Sequence, residues 1–205
     1  MQNETTLALL AGGRGRRMGG HDKGLVSYRG QPLAEYVLEQ LEEACPIVPK
    51  IIVANRNLPF YRSLGCPVIS DIRSGFLGPM VGILSAMEAI ETEWLLVWPT
   101  DAPMVCSDIL RSLMISATCR PQLPVHVPVD LNGRYQPLFA LYHRSLIPSM
   151  CRAIKQGHLA LTRWVRAQPH ETLKWSNELC FTNLNTPAVL SQLEQIEQSS
   201  LSCSA

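Results

Sequence analysis

The sequence predicts an α/β protein with a three-layer, Rossmann-like architecture. Short runs that are apolar throughout alternate with stretches of helical periodicity. Strands with no polar face are typical of a mainly parallel sheet that helices cover on both sides. After residue 120 two candidate strands follow each other closely, which predicts an antiparallel edge on that sheet.

The elements before residue 120 are predicted from local composition. Buried strands are expected at residues 7–10, 51–54, 67–69 and 94–98. Helices are expected at residues 32–44, 78–90 and 107–118, with Pro79 in the first turn of the second and Ser107 as the N-cap of the third.

The elements after residue 120 complete a single domain. Strands are expected at residues 125–129 and 135–142, separated by an Asn132-Gly133 turn, and helices near 145–155 and 159–167. A last helix should begin at Asn185-Thr186-Pro187. We expect one domain over residues 1–198 and a frayed polar tail at 199–205.

Composition excludes several classes of protein. Of the 205 residues 46% are hydrophobic and 17% are charged, and the net charge is +1, so wholesale disorder is excluded. No global field draws the chain to nucleic acid, and no apolar stretch approaches the ~20 residues that span a bilayer. The seven cysteines include no C-x-x-C pair, which suits a reducing compartment. We therefore expect a soluble, cytoplasmic protein without nucleic-acid or membrane partners.

A glycine-rich loop follows the first predicted strand and concentrates positive charge. Between Gly12 and Gly24 the chain carries Arg14, Arg16, Arg17 and Lys23 against one carboxylate, which makes this segment +3 and the remainder −2. Exposed N–H groups in such a loop form an anion-binding concavity. The pattern fits neither the dinucleotide fingerprint nor the Walker loop. It indicates a polyphosphate site of another kind.

A carboxylate follows the fourth predicted strand. Asp101 lies between Pro99 and Pro103, at the edge of the sheet where the glycine loop also emerges. A carboxylate facing a polyphosphate is repulsive unless a cation lies between them, so Asp101 is a candidate Mg²⁺ ligand. The alternative is an aspartate that only caps a turn or a helix.

Together these two motifs resemble the molybdenum cofactor guanylyltransferases of the nucleotidyltransferase superfamily. The family's opening motif, L-A-G-G-x-x-x-R-M-G-x-D-K, is similar to residues 10–23, and its P-x-D-x-P motif to residues 99–103. Further similarities are Ala54-Asn55-Arg56, Ser70-Asp71, the Gly78–Gly82 segment and the Asn-x-Asn-Thr-Pro sequence at residues 183–187. The resemblance thus covers nearly the whole chain.

The resemblance implies an activity, a cofactor and partners. GMP would pass from GTP to the terminal phosphate of molybdopterin, with release of pyrophosphate and with Mg²⁺ as the cofactor. The enzyme would be a monomer that contacts molybdopterin-carrying proteins and molybdoenzymes transiently. The acceptor phosphate is already an anion, so no general base is needed, and catalysis would consist of positioning and charge stabilisation.

The resemblance also implies a set of site residues. Those expected to hold GTP are Leu10, Ala11, Gly12, Gly13, Lys23, Asn55, Asp71 and Asp101, with the backbone of residues 10–13 reading the guanine edge. Those expected to act in catalysis are Lys23, Asp101 and Arg17, with Asp101 holding the metal. Those expected to face the second substrate or organise the cleft are Arg17, Gly20, Gly78, Gly82, Asn183 and Asn185. Residues 135–137 are a further candidate for lining the second site.

The sequence departs from the family pattern at three positions. Val53 replaces an asparagine that is frequent in the family, Thr100 replaces a frequent cysteine, and Gly15 gives the loop a likeness to the sugar nucleotidyltransferases. Two alternatives follow: a nucleotidyltransferase that uses CTP or a sugar phosphate, and a nucleotide-binding homologue without catalysis. The presence of both Lys23 and Asp101 disfavours the second alternative.

Overall fold

The computed structural model describes residues 1–11, 22–71 and 78–184. The strands in this part of the chain are β1 Thr5–Leu10, β2 Ser27–Tyr28, β3 Gln31–Pro32, β4 Lys50–Val53, β5 Val68–Ile69, β6 Trp94–Pro99, β7 Val125–Val129, β8 Leu141–His143 and β9 His170–Lys174. The helices are α1 Leu33–Ala44, α2 Leu58–Ser63, α3 Pro79–Ala89, α4 Ser107–Cys119, α5 Ile147–Lys155 and α6 Leu161–Arg166.

The main sheet is mixed, as predicted, and most of its strands run in one direction. Its order is β5-β4-β1-β6-β8-β7-β9. The first four strands pair in parallel, and β8 pairs antiparallel with both β6 and β7. The carboxyl ends of β1, β4, β5 and β6 therefore meet at one edge, where open α/β sheets bind ligands.

Two buried clusters cover the two faces of the sheet. Residues of β1 alternate between them: Leu7 and Leu9 pack with α1 and α4, whereas Ala8 packs with α3, α5 and α6. Trp94 and Trp98, the two ends of the strand predicted at residues 94–98, lie on the same face and are both buried. The three-layer architecture follows from strands that have no polar face.

The second half of the predicted hairpin is shorter than expected. Residues 135–142 were expected to form one strand, but a 3-10 turn at Pro137–Phe139 precedes β8, which begins at Leu141. Pro137 has no N–H for a strand ladder and its φ is fixed, so pairing stops there. The predicted turn is confirmed: Gly133 has a φ of +72° and donates its N–H to Asp130, 2.9 Å away.

Further details differ from the sequence prediction. The edge strand β9, the two-stranded β2–β3 sheet and the short helix α2 were not predicted. Ser107 is the first helical residue of α4 rather than its N-cap, because the extended residue before it is Cys106. The predicted last helix and tail lie outside the described residues.

Two further findings concern membrane spans and cysteine pairing. No helix in the described ranges is long and apolar enough to cross a membrane. The cysteines within those ranges are all free thiols.

Candidate functional site

The carboxyl ends of β1 and β6 are joined by hydrogen bonds that fix the start of the site. The carbonyl of Leu10 accepts from the Thr100 N–H at 3.1 Å and from the Thr100 hydroxyl at 2.8 Å. On the other side, the Ala11 N–H donates to the carbonyl of Val53 at 2.8 Å. These backbone groups already form hydrogen bonds within the protein. If the backbone of residues 10–13 recognises a base, the contacts would therefore come from the Ala11 carbonyl and from the two glycines that follow.

Lys23 and Asp101 meet at this edge although 78 residues separate them. The Lys23 ammonium lies 2.6 Å from a carboxylate oxygen of Asp101, with the side chains 25% and 19% exposed. The backbone of Asp101 is fixed independently, because its carbonyl accepts from the Leu184 N–H at 2.7 Å. Beside it, the indole of Trp98 donates to the Ala102 carbonyl at 2.8 Å. The charged pair therefore stands on rigid backbone and remains partly open to solvent.

The residue before Lys23 is held from several sides. The buried Asp22 carboxylate accepts from the Gly24 N–H at 3.1 Å, from the Asn57 amide at 2.8 Å and from the Tyr61 hydroxyl at 2.9 Å. Arg56 adds an ion pair at 3.7 Å. Burial and the nearby Asp22 charge both raise the pKa of Tyr61, so its hydroxyl is a proton donor at neutral pH. Asp22 thus joins the end of the glycine loop to the connection between β4 and α2.

Asn55 and Asp71 form a second polar pair beyond β4. The Asn55 amide donates to Asp71 at 2.6 Å, and the Asp71 N–H donates back to the Asn55 side-chain oxygen at 2.8 Å. Burial raises the pKa of Asp71, and the hydrogen bond from Asn55 opposes that rise. The other carboxylate oxygen is buried and has no hydrogen-bond partner among the described residues.

Two predicted glycines lie where α3 approaches this pair. Gly78 immediately precedes α3 and has a φ of +92°, a region that favours glycine. A Cβ added at Gly82 would lie 3.3 Å from Val53 and 3.4 Å from the Asp71 carboxylate. The absence of a side chain at Gly82 therefore lets α3 pack closely against β4 and Asp71.

A cavity of about 320 Å³ adjoins Asn183. Its lining comes from the start of α3, the turn before β8, the start of α6 and Asn183, namely Pro79, Gln136, Pro137, Leu138, Phe139, Ala160, Leu161, Thr162 and Asn183. The Asn183 side-chain oxygen is buried without a partner in the described part of the chain. Asn183 precedes Leu184, whose N–H donates to the Asp101 carbonyl, so one wall of the cavity is joined through the backbone to Asp101.

The sequence-predicted site residues fall into two groups. The structure brings Leu10, Ala11, Lys23, Asn55, Asp71 and Asp101 to the same sheet edge, and Gly78, Gly82 and Asn183 to its α3 side. The remaining predicted residues are Gly12, Gly13, Arg17, Gly20 and Asn185, and they lie outside the described residues.

Sequence reasoning missed the partners of Asp22. Asn57, with Pro59 two residues later, is a recognisable helix-start signal that could have predicted α2. Its side chain makes no capping bond with α2 and instead donates to Asp22. Nothing in the local sequence indicates that contact, because 35 residues separate the two side chains.

Asp101 is the residue at this edge that could act as a ligand for Mg²⁺. No group of three or more His, Cys, Asp or Glu residues in the described ranges could hold a metal. Magnesium commonly takes one or two carboxylates together with substrate phosphates and water, so a single carboxylate at a phosphate-binding edge is a suitable protein ligand. The Lys23 ammonium lies against the Asp101 carboxylate, so positive charge is favourable beside this carboxylate.

The carboxyl ends of the parallel strands in this mixed sheet thus carry a cationic side chain, Lys23, and a carboxylate, Asp101. The model of the MobA-like NTP transferase domain matches residues 7–172. The chain therefore belongs to the MobA-like NTP transferase family.

Individual relatives and solved structures agree with this assignment. The chain is 37% identical over 201 residues to a molybdenum cofactor guanylyltransferase of Ralstonia nicotianae, covering 94% of this chain and 97% of that protein. It is 36% identical over 197 residues to one of Yersinia pestis, covering 95% and 97%. The crystal structure of molybdopterin-guanine dinucleotide biosynthesis protein A from Archaeoglobus fulgidus has a TM-score of 0.77 at 25% identity, covering 95% of this chain and 99% of that one.

Proposed function

We propose that the chain transfers GMP from GTP to the terminal phosphate of molybdopterin, releasing pyrophosphate and forming the guanine dinucleotide cofactor. The observation that carries the proposal is the Lys23–Asp101 pair at the carboxyl edge of the sheet. The support for this acceptor comes from relatives that align over nearly their full length and are named molybdenum cofactor guanylyltransferase.

The two polar pairs suggest how GTP would lie along the edge. The phosphates belong near Lys23 and Asp101, because a cation accompanies the carboxylate there. The base belongs near Asn55 and Asp71. Guanine presents N1–H and N2–H donors that a carboxylate can accept, whereas adenine and cytosine present an acceptor at the corresponding ring nitrogen. A buried carboxylate with a raised pKa is stabilised when such donors arrive.

The chemistry requires charge control rather than proton transfer. An oxygen of the acceptor phosphate would attack the α-phosphorus of GTP, and the bond to the bridging α–β oxygen would break with its electron pair leaving on pyrophosphate. Lys23 would hold the triphosphate and stabilise negative charge as it develops. Bound at Asp101, Mg²⁺ would neutralise phosphate charge so that two anions can approach each other.

The cavity beside Asn183 is the candidate acceptor subsite. It combines apolar walls with a few polar groups, Gln136, Thr162 and Asn183, which suits a heterocycle with amide and amine edges. Three of the residues proposed from sequence for the second substrate, Gln136, Pro137 and Asn183, line it. The monomeric state, the transient protein partners and the cytoplasmic location remain predictions.

Base selectivity separates this proposal from a CTP-using alternative. The melting temperature of the protein would be measured with each of the four nucleoside triphosphates plus Mg²⁺. A ligand at 100 times its Kd adds about 2.7 kcal/mol of stability. We expect GTP to raise the melting temperature well above the shifts with ATP, CTP or UTP, because mismatched bases leave polar groups unpaired. Equal shifts with all four, or a larger shift with CTP, would contradict the guanylyl assignment.

A further inference from the structure

Lys23 is attached to the fold through the residue that precedes it. Its side chain reaches Asp101, but its backbone is fixed by Asp22, whose carboxylate accepts the N–H of Gly24 across Lys23. This bond closes a tight turn around Lys23 at the start of a 3-10 segment. The direction in which Lys23 leaves the backbone therefore depends on where the Asp22 carboxylate is held.

The carboxylate of Asp22 is held by the connection between β4 and α2 and by α2 itself. Asn57 donates to one oxygen at 2.8 Å, Tyr61 donates to the other at 2.9 Å, and Arg56 lies 3.7 Å away. The Asp22 side chain is only 3% exposed. Hydrogen bonds to a buried charge are among the stronger ones in proteins, so this arrangement is rigid.

Close packing supports the same contact independently. A Cβ added at Gly24 would overlap the Tyr61 hydroxyl and would come within 3.1 Å of Ala34. A glycine at this position lets the turn around Lys23 lie directly against Tyr61. Asn57 adopts a left-handed conformation with a φ of +51°, which asparagine tolerates better than most residues.

The same connection also carries the base-side pair. Asn55 bonds Asp71, while Arg56 and Asn57 contact Asp22. One turn of consecutive residues thus fixes both Lys23, beside the phosphates, and Asp71, beside the base. The distance between the two halves of the nucleotide site is set by protein contacts before any ligand binds.

We infer that Asp22, held by Asn57 and Tyr61, is a positioning residue that aims the Lys23 ammonium at the Asp101 carboxylate and at the phosphates of the nucleotide. The part of this inference that concerns the nucleotide rests on the proposed function. The part that concerns Lys23 and Asp101 does not.

The first test measures Lys23 without any nucleotide. Acetylation of Lys23 by acetic anhydride would be followed by peptide mass spectrometry, with the exposed Lys155 as the internal reference. Tyr61→Phe removes one donor to Asp22 without changing charge, and Asn57→Gly removes another while keeping the left-handed backbone. We expect each variant to raise acetylation of Lys23 threefold or more relative to Lys155, because an ammonium freed from Asp101 reacts faster.

A matched control separates positioning from general loosening. Tyr142 is also a buried tyrosine whose hydroxyl makes one hydrogen bond, to the Pro137 carbonyl at 2.6 Å, and it belongs to the core on the other face of the sheet. Tyr142→Phe should leave Lys23 acetylation unchanged. Unchanged Lys23 acetylation in both folded Tyr61→Phe and Asn57→Gly, or an equal rise in Tyr142→Phe, would overturn the inference.

The second test is a double-mutant cycle on GTP affinity. Tyr61→Phe should weaken GTP binding threefold or more in the natural background and by less than 1.5-fold when Lys23 is already alanine, because its effect passes through Lys23. The same loss in both backgrounds would show a merely structural role and overturn the inference. If the unaltered protein binds no GTP, the proposed function fails, while the acetylation result still decides whether Asp22 positions Lys23.

Discussion

Replacing Asp101 by asparagine separates a metal-binding carboxylate from one that only shapes a turn. The change preserves size and removes one negative charge. The backbone should persist, because it is held by the bond from Leu184 at 2.7 Å and by the bond from Trp98 to Ala102 at 2.8 Å. What is lost is the contact with Lys23 and the candidate ligand for Mg²⁺.

The effects on stability and on activity should differ greatly in size. The Lys23–Asp101 pair is partly solvent-exposed, so its loss should cost about 1 kcal/mol at most, a fall of about 2–4 °C in melting temperature for a chain of this length. Turnover should fall about 10²–10³-fold, equivalent to ~2.7–4 kcal/mol of transition-state stabilisation, because electrostatic stabilisation is usually the largest catalytic term.

The assay is pyrophosphate release from GTP and molybdopterin across a Mg²⁺ titration, with circular dichroism to confirm folding. Asp108→Asn is the matched control, since Asp108 is an exposed aspartate in the first turn of α4. This substitution should change neither the turnover nor its dependence on Mg²⁺. A folded Asp101→Asn protein with near-normal turnover and an unchanged Mg²⁺ dependence would refute the metal site.

Three other substitutions test separate parts of the site. Lys23→Ala should weaken GTP binding about tenfold, ~1.4 kcal/mol, without unfolding the protein. Calorimetry measures the Kd, with Lys155→Ala as the control, and an unchanged Kd in Lys23→Ala would mean that the phosphates lie elsewhere. Asp71→Asn should raise the melting temperature at pH 7–8 while lowering GTP affinity, because burial raises the pKa of Asp71 and the folded protein therefore carries an unfavourable charge above that pKa. That gain should disappear as the pH falls below the ordinary carboxyl pKa of 3.8, and a loss of stability at pH 8 would contradict it. Gly24→Ala should destabilise the fold by about 1–3 kcal/mol through overlap with the Tyr61 hydroxyl. Chemical denaturation should show a smaller loss of stability for Gly24→Ala in a Tyr61→Phe background. An equal loss in both backgrounds would mean that the overlap is relieved elsewhere.

The part of the fold that could be predicted from sequence is the part with a strong local signal. The apolar runs that form β1, β4 and β6 have no polar face, so their burial and parallel pairing follow directly. The edge strand β9 reads His-Glu-Thr-Leu-Lys and is only half buried, so it lacks the apolar pattern that identifies an interior strand. Its place beside β7 depends on pairing with Val125–Val129 rather than on its own composition.

The part of the candidate site that could be predicted is the part whose position follows from the order of the strands. Asp101 and Lys23 could be placed at one edge because each follows the end of a central strand or its loop, and the contact between them agrees with that placement. The role of Asp22 could not be predicted. Its partner Tyr61 lies on a helix whose six residues are too few for a clear periodicity, and its partner Asn57 immediately precedes that helix.

The transfer of GMP is the central proposal about activity, and positional labelling tests it most directly. The protein would be incubated with Mg²⁺, molybdopterin and GTP labelled at either the α- or the γ-phosphate, and the products would be separated by chromatography and weighed by mass spectrometry. We predict that the α-label enters a molybdopterin–guanine dinucleotide and that the γ-label leaves as pyrophosphate, at a rate that falls sharply in Asp101→Asn. Label from the α-phosphate that never joins molybdopterin, or a γ-label that appears as inorganic phosphate alone, would contradict guanylyl transfer.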